Sequence, residues 1–152
     1  MRNSKNIRRK GFTLVELLIV IVVIGILSAM MMLSSTEATT SAKATAIVSN
    51  LRNIKTAALA FYADHPGSGD TVPNEADVAK YLKDNSTTFG DNYGVSGDTV
   101  GWYAVHTISG TTTEVSKIQE KLKARASQVG LTKGKTLDQY DGSGNVVGMW
   151  IR

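Results

Sequence analysis

The sequence predicts an α+β protein: a long N-terminal α-helix, hydrophobic in its first half, packed on a small antiparallel β-sheet head with short extra helices. Three observations lead there. Phe12 to Leu33 is an almost unbroken apolar run, and an amphipathic pattern continues it to about Ala63. Val100 to Ile108 (VGWYAVHTI) is aromatic and β-branched, the composition of a strand. Two later segments, 111–130 and 135–151, carry the marks of a capped helix and of a hairpin. With 152 residues the chain has room for one modest domain plus an extension.

The elements follow in chain order. Residues 1–11 (MRNSKNIRRKG) hold Arg2, Lys5, Arg8, Arg9 and Lys10 and no acid. Without these five, 12 basic residues face 13 acidic ones, so the pI near 9.4 belongs to the leader and is no nucleic-acid signature of the whole chain. Residues 12–33 follow, with Thr13, Glu16 and Ser28 as the only clearly polar side chains. As a helix this run is about 33 Å long, enough for a hydrocarbon core of about 30 Å. Positive charge before the run and none close behind it orients the N-terminus to the cytoplasm and the remainder outward. Glu16 is the anomaly. A carboxylate inside an apolar span is expensive, is functional by default, and here has no Lys or Arg in the span to pair with.

From residue 34 to 64 the pattern becomes one-sided. Ile47, Leu51, Ile54, Ala58 and Phe61 recur at steps of four and three, one face of a helix that needs a surface to lie on. Asp64-His65-Pro66-Gly67 ends it. The head occupies residues 65–152. Asn74 reads as an N-cap opening a short helix to about Lys83, and 84–99, rich in Gly, Asn, Asp, Ser and Thr, reads as loop. After the strand at 100–108, Thr111-x-x-Glu114 is a capping box. The helix it opens places Val115, Ile118, Leu122, Ala126 and Val129 on one face and stops at Gly130. Lys135–Tyr140 and Asn145–Ile151 read as a hairpin about Asp141-Gly142-Ser143-Gly144, giving about three antiparallel strands.

Lys10-Gly11-Phe12-Thr13-Leu14-Val15-Glu16, followed by LLIVIVVIGILSA, resembles the class III signal of type IV pilins and pseudopilins. The likeness is close over Lys10–Ala29 and looser to about Tyr62. It implies a pilin-like fold and cleavage by a prepilin peptidase between Gly11 and Phe12. It also implies N-methylation of Phe12 and an assembly role for Glu16 facing the new Phe12 amine of a neighbouring subunit. The partners implied are further copies of the chain in a helical filament, the pilus assembly platform with its ATPase, and the membrane before assembly. The function implied is that of a structural subunit of an extracellular type IV pilus, a cytoplasmic-membrane prepilin that ends in a surface filament. A minor pilin or a type II secretion or competence pseudopilin is the alternative within the class, and a singly membrane-anchored binding module the alternative outside it. A conventional signal peptide cut near Ser28-Ala29 and a plain signal anchor compete for the same N-terminus, although neither needs Glu16. Two departures from the usual pilin pattern stand out. No Pro occurs before Pro66, and the absence of Cys rules out a C-terminal disulfide.

No enzyme is expected. There is no Gly-x-Ser-x-Gly elbow and no phosphate-binding Gly-rich loop. With no Cys and only His65 and His106, neither a thiolate nor a multi-His metal site is expected, and no cofactor is implied. Asp141, Ser143 and Asn145 alternate like the start of a calcium loop, but the later Glu ligand is missing and a hairpin turn accounts for the same residues. His106 reads as a strand-face residue. Segment 64–98 carries a net charge of −5 and segment 112–135 of +4, which sets complementary subunit contacts against simple solvated faces. The basic helix lacks the interleaved aromatics of a DNA-binding surface, so DNA is a minor reading.

Overall fold

The computed structural model of the chain describes residues 11–66, 71–82, 92–97 and 101–152, and in the long helix all side chains but those of Leu33 and Ser34. Helix α1 spans Leu14–Asp64, α2 Glu75–Ala79 and α3 Thr112–Val129, with strands β1 (Tyr93–Gly97), β2 (Trp102–Thr107), β3 (Leu131–Lys133) and β4 (Val146–Trp150). Contacts divide the chain into two compact units, Met1–Ala38 and Thr39–Arg152. The α+β class and the long N-terminal helix are those the sequence predicts.

In the first unit every described side chain of α1 is exposed, including Leu17, Ile19, Ile21 and Ile24. This is the one helix among the described residues long and apolar enough to cross a membrane.

The second unit is built on an antiparallel sheet in the order β1-β2-β4-β3. Its core face carries Trp102 and Ala104 from β2, Val147 and Met149 from β4, and Leu131 from β3. Against these lie Ala44, Ile47, Val48, Leu51, Ile54, Ala57 and Ala58 of α1, and Ile118, Leu122 and Ala126 of α3. The stripe read from the sequence is this buried face, with one exception. Phe61 is only partly buried and meets His65 and Tyr81, while its neighbour Tyr62 joins the core. The 100° step per residue carries the stripe past Phe61 by the end of the helix.

Four local expectations are corrected. The 84–99 segment is not all loop: Tyr93–Gly97 forms β1, in register with Trp102–His106. Its glycines lower strand propensity, but pairing with β2 supplies what the local sequence lacks. The sheet accordingly has four strands. The strand beside β4 is Leu131–Lys133 and not Lys135–Tyr140. Gly134, at φ 61°, turns the chain, and 138–140 return along the outer side of β3 through Lys133 N–H to the Asp138 carbonyl and Tyr140 N–H to the Leu131 carbonyl. Helix α2 ends at Ala79, short of Lys83, which lies outside the described residues; Asn74 does cap it, accepting from Ala76 N–H at 3.2 Å. At α3 the capping box is half made. The Thr111 side chain caps no backbone N–H and instead donates to Glu114 at 3.3 Å. Gly130 ends α3 in the left-handed region, as expected of a helix-stopping glycine.

Gly148 is required by this arrangement. A Cβ there would run into the Gly134 carbonyl oxygen and sit 2.9 Å from Thr132 Oγ1. Gly148→Ala is therefore expected to cost about 1 to 3 kcal/mol. The loss should appear as a lower urea midpoint for the full-length chain in detergent, with the far-UV signal of α1 retained.

Candidate processing and assembly site

The predicted processing residues lie at the start of the first unit. Gly11, Phe12 and Thr13 precede the helix, and the first helical bond runs from Leu17 N–H to the Thr13 carbonyl at 3.3 Å. Phe12 is 87% exposed, so the Gly11–Phe12 peptide stands clear of the helix it precedes. A Cβ on Gly11 would touch nothing within 4 Å among the described residues, so their packing makes no demand for glycine there.

Thr13 is the residue that sequence reasoning missed. Its backbone N–H and its hydroxyl both donate to Glu16 Oε2 at 2.8 Å, and Glu16 N–H donates to Thr13 Oγ1 at 3.3 Å. This is a complete capping box, threonine and glutamate each satisfying the other's backbone donor. The signal was present as Thr13-Leu14-Val15-Glu16, the same T-x-x-E spacing recognised at Thr111. Glu16 therefore has an intrachain partner, although a neutral one.

The weaker candidates are placed as follows. Asp141 Oδ1 accepts from Ser143 N–H at 2.8 Å and Ser143 Oγ at 2.6 Å, while Oδ2 meets Lys133 Nζ at 3.3 Å. The Ser143 bonds first, then Lys133, hold its carboxyl well below the usual carboxylate range. Asn145 turns to Gln119 Nε2 at 3.3 Å, so the three side chains do not converge. Gly142 and Gly144 take positive φ on either side of Ser143, the geometry of a tight turn. Among the described residues no group of three or more His, Cys, Asp or Glu gathers as a metal site. Burial raises the Tyr140 hydroxyl to about 12, with nearby Asp141 adding to it.

His106 is buried on the strand face and stacks on Tyr93 with ring centroids 4.0 Å apart. Of the acidic segment, Asp70, Asp84, Asp91 and Asp98 lie outside the described residues. Of the basic one, Arg125 donates to Thr45 Oγ1 at 2.9 Å. Glu114 pairs with Lys43 at 3.2 Å, and this bond, with help from Thr111, lowers the pKa of its carboxyl.

The profile of the prokaryotic N-terminal methylation motif matches residues 6–32. The N-terminal segment is a prokaryotic methylation motif. Such a motif supports a protein of the prepilin type, type IV pilin-like or pseudopilin, a class that is structural and generally non-enzymatic. The motif implies processing by a prepilin peptidase and assembly in a pilus machinery, and with the apolar helix it fits a membrane-anchored prepilin. The match leaves residues 33–152 uncovered. No curated protein and no solved structure matches the chain.

Two measurements test this geometry. Thr13→Ala is expected to free the first turn of α1, costing about 1 kcal/mol locally and raising amide exchange at Leu14–Leu17 with no change beyond the next turn. Millimolar calcium is expected to leave the unfolding temperature unchanged, since Asp141 is already engaged; a rise abolished by Asp141→Ala would show that the loop gives up Ser143 and Lys133 for the metal.

Proposed function

We propose that the chain is the structural subunit of an extracellular type IV pilus. It enters the cytoplasmic membrane as a prepilin, is cut between Gly11 and Phe12, is N-methylated at Phe12, and assembles through its N-terminal helix. The methylation motif over residues 6–32, on a helix whose described side chains over Leu14–Ala38 are all exposed, carries this reading. Cleavage releases an α-amino group whose ordinary pKa of about 7.7 to 8 leaves it largely cationic at neutral pH. Placed beside Glu16 of a neighbouring subunit, that cation gives the carboxylate the charged partner that neutral Thr13 does not.

Energetics support this division of labour. Lipid is as apolar as the helix, so leaving it yields little hydrophobic gain, and association must come from packing and from polar contacts. A paired charge also fixes axial stagger, since one register satisfies both groups. An open peptide at Gly11–Phe12, with no described residue crowding Gly11, suits a bond recognised from outside.

The decisive test is mass spectrometry of the native N-terminus. The expected mature chain begins at methylated Phe12, whereas an intact Met1 or a cut near Ala29 overturns the reading. Glu16→Ala is expected to insert normally but to lower fibre yield. Stranding one buried charge costs about 3 to 5 kcal/mol, roughly a hundredfold or more in association. Fibres in normal amount from this variant contradict the mechanism.

A further inference from the structure

One flank of α3 plays no part in the reading above. Lys117, Lys121 and Arg125 recur every four residues, each one position before Ile118, Leu122 and Ala126 of the buried line, so they form one basic stripe beside it. Lys121 is exposed, and Lys117 and Arg125 are partly buried. Of the helix's two acids, Glu114 is paired with Lys43, and Glu120 forms no ion pair with the stripe. Like charges at this spacing repel and cost the helix some stability, and no ion pair among the described residues offsets that cost.

The stripe has a fixed place on the second unit. Glu114, on the same flank, reaches Lys43 at 3.2 Å, and Arg125 Nη1 donates to Thr45 Oγ1 at 2.9 Å. Both anchor points fall in about the first two turns of α1 that belong to the unit, which begins at Thr39. The apolar run ends at Leu33, ten residues before Lys43. Whatever the conformation between them, ten residues span at most about 35 Å. A chain held in a membrane by that run therefore tethers the stripe within a short reach of lipid head groups, at high effective concentration.

We propose that the Lys117, Lys121 and Arg125 stripe docks the second unit on anionic lipid head groups while the chain is anchored in the membrane. The inference rests on the membrane-anchored reading and needs no filament. Its ground is charge and tether together. Each basic side chain at an anionic surface favours contact by about fivefold, and the tether removes most of the entropic cost of encounter. Ammonium and guanidinium donors both suit phosphate oxygens, and Arg125 spends one of its five N–H groups on Thr45. A second copy of the chain is the weaker occupant. Of the described acids in segment 64–98, Asp64 accepts from the Tyr81 hydroxyl at 2.8 Å and Asp77 pairs with Lys80 at 2.9 Å, which leaves Glu75.

The chain has no cysteine, so Ala124→Cys, at an exposed position of α3, carries a single fluorophore cleanly. The full-length chain is reconstituted in vesicles of phosphatidylcholine, alone or with one-third phosphatidylglycerol, that contain a lipid bearing a nitroxide quencher on its head group. Quenching is expected with phosphatidylglycerol at low salt, and little with phosphatidylcholine alone or in half-molar salt. Lys117→Gln with Lys121→Gln is expected to lower the docked-to-free ratio about twenty-five-fold. Lys117→Arg with Lys121→Arg is expected to keep it, which separates charge from any effect on folding. Quenching that ignores lipid charge, survives the glutamine pair or is lost with the arginine pair overturns the inference. A probe that stays unquenched on a chain that floats with the vesicles overturns it too and leaves the membrane reading standing. A chain that does not float with them overturns both. A change in emission that follows the number of chains per vesicle, and not phosphatidylglycerol, assigns the stripe to a second copy and overturns the inference.

Discussion

The apolar half of α1 sets the terms for everything else, because every described side chain in it is exposed. A stretch of helix whose described side chains are all exposed and mostly Leu, Ile, Val and Met needs cover. Lipid and a bundle of sister helices are the two media that supply it. Both are apolar, so exchanging one for the other is nearly neutral in hydrophobic terms, and small polar differences decide the direction. Glu16 is the largest such difference in the span. In lipid it is a cost that the Thr13 hydrogen bonds reduce; under the proposed function, a neighbour's cationic amine would turn it into a preference for the bundle.

The second unit solves a different problem, that of holding a small head together without a disulfide. Three devices act on its C-terminal region. Trp102 N–H donates to the Arg152 carbonyl at 2.9 Å and Ile151 N–H to the Trp102 carbonyl at 2.7 Å, extending the β2–β4 ladder to the last residues. The Arg152 guanidinium lies over the Tyr62 ring at 4.0 Å and the Trp102 ring at 4.9 Å, joining the sheet end to α1 by cation–π contact. The return of 138–140 along β3 covers that edge and satisfies backbone groups that would otherwise invite strand addition. Each is individually modest, and they act on one short stretch of chain.

How far the sequence revealed this depended on where the determining contacts lie. The long helix, its buried stripe and the Gly130 stop were legible because helical periodicity and left-handed caps are local. The N-terminal motif was legible for the same reason, its residues lying in one continuous stretch of sequence. What escaped were choices made at a distance. YGVSG at 93–97 has its Tyr and Val offset by two glycines, and pairing with β2 makes it β1. Leu131–Lys133 is too short to show a period, and its selection over Lys135–Tyr140 turns on Gly134 and on the register with β4. The Thr13–Glu16 box was overlooked for a different reason. A carboxylate in an apolar run draws attention to missing cations, and a neutral hydroxyl three residues earlier does not look like an answer.

That box bears on how the Glu16 carboxylate can change partners without leaving the helix end bare. Both Thr13 donors fall on Glu16 Oε2, so among the described residues Oε1 is open to a further donor. A carboxylate has about four acceptor positions, enough to hold Thr13 and an ammonium together. Thr13 Oγ1 in turn accepts Glu16 N–H, an interaction that does not involve the carboxylate and persists if the side chain swings away. The helix start thus keeps this bond before, during and after the proposed transfer of Glu16 to a neighbour's amine. An acid held by lysine or arginine within its own chain would have to break a charged pair first, at several kcal/mol. Holding it with a threonine keeps it tolerable in lipid and still available for a stronger bond.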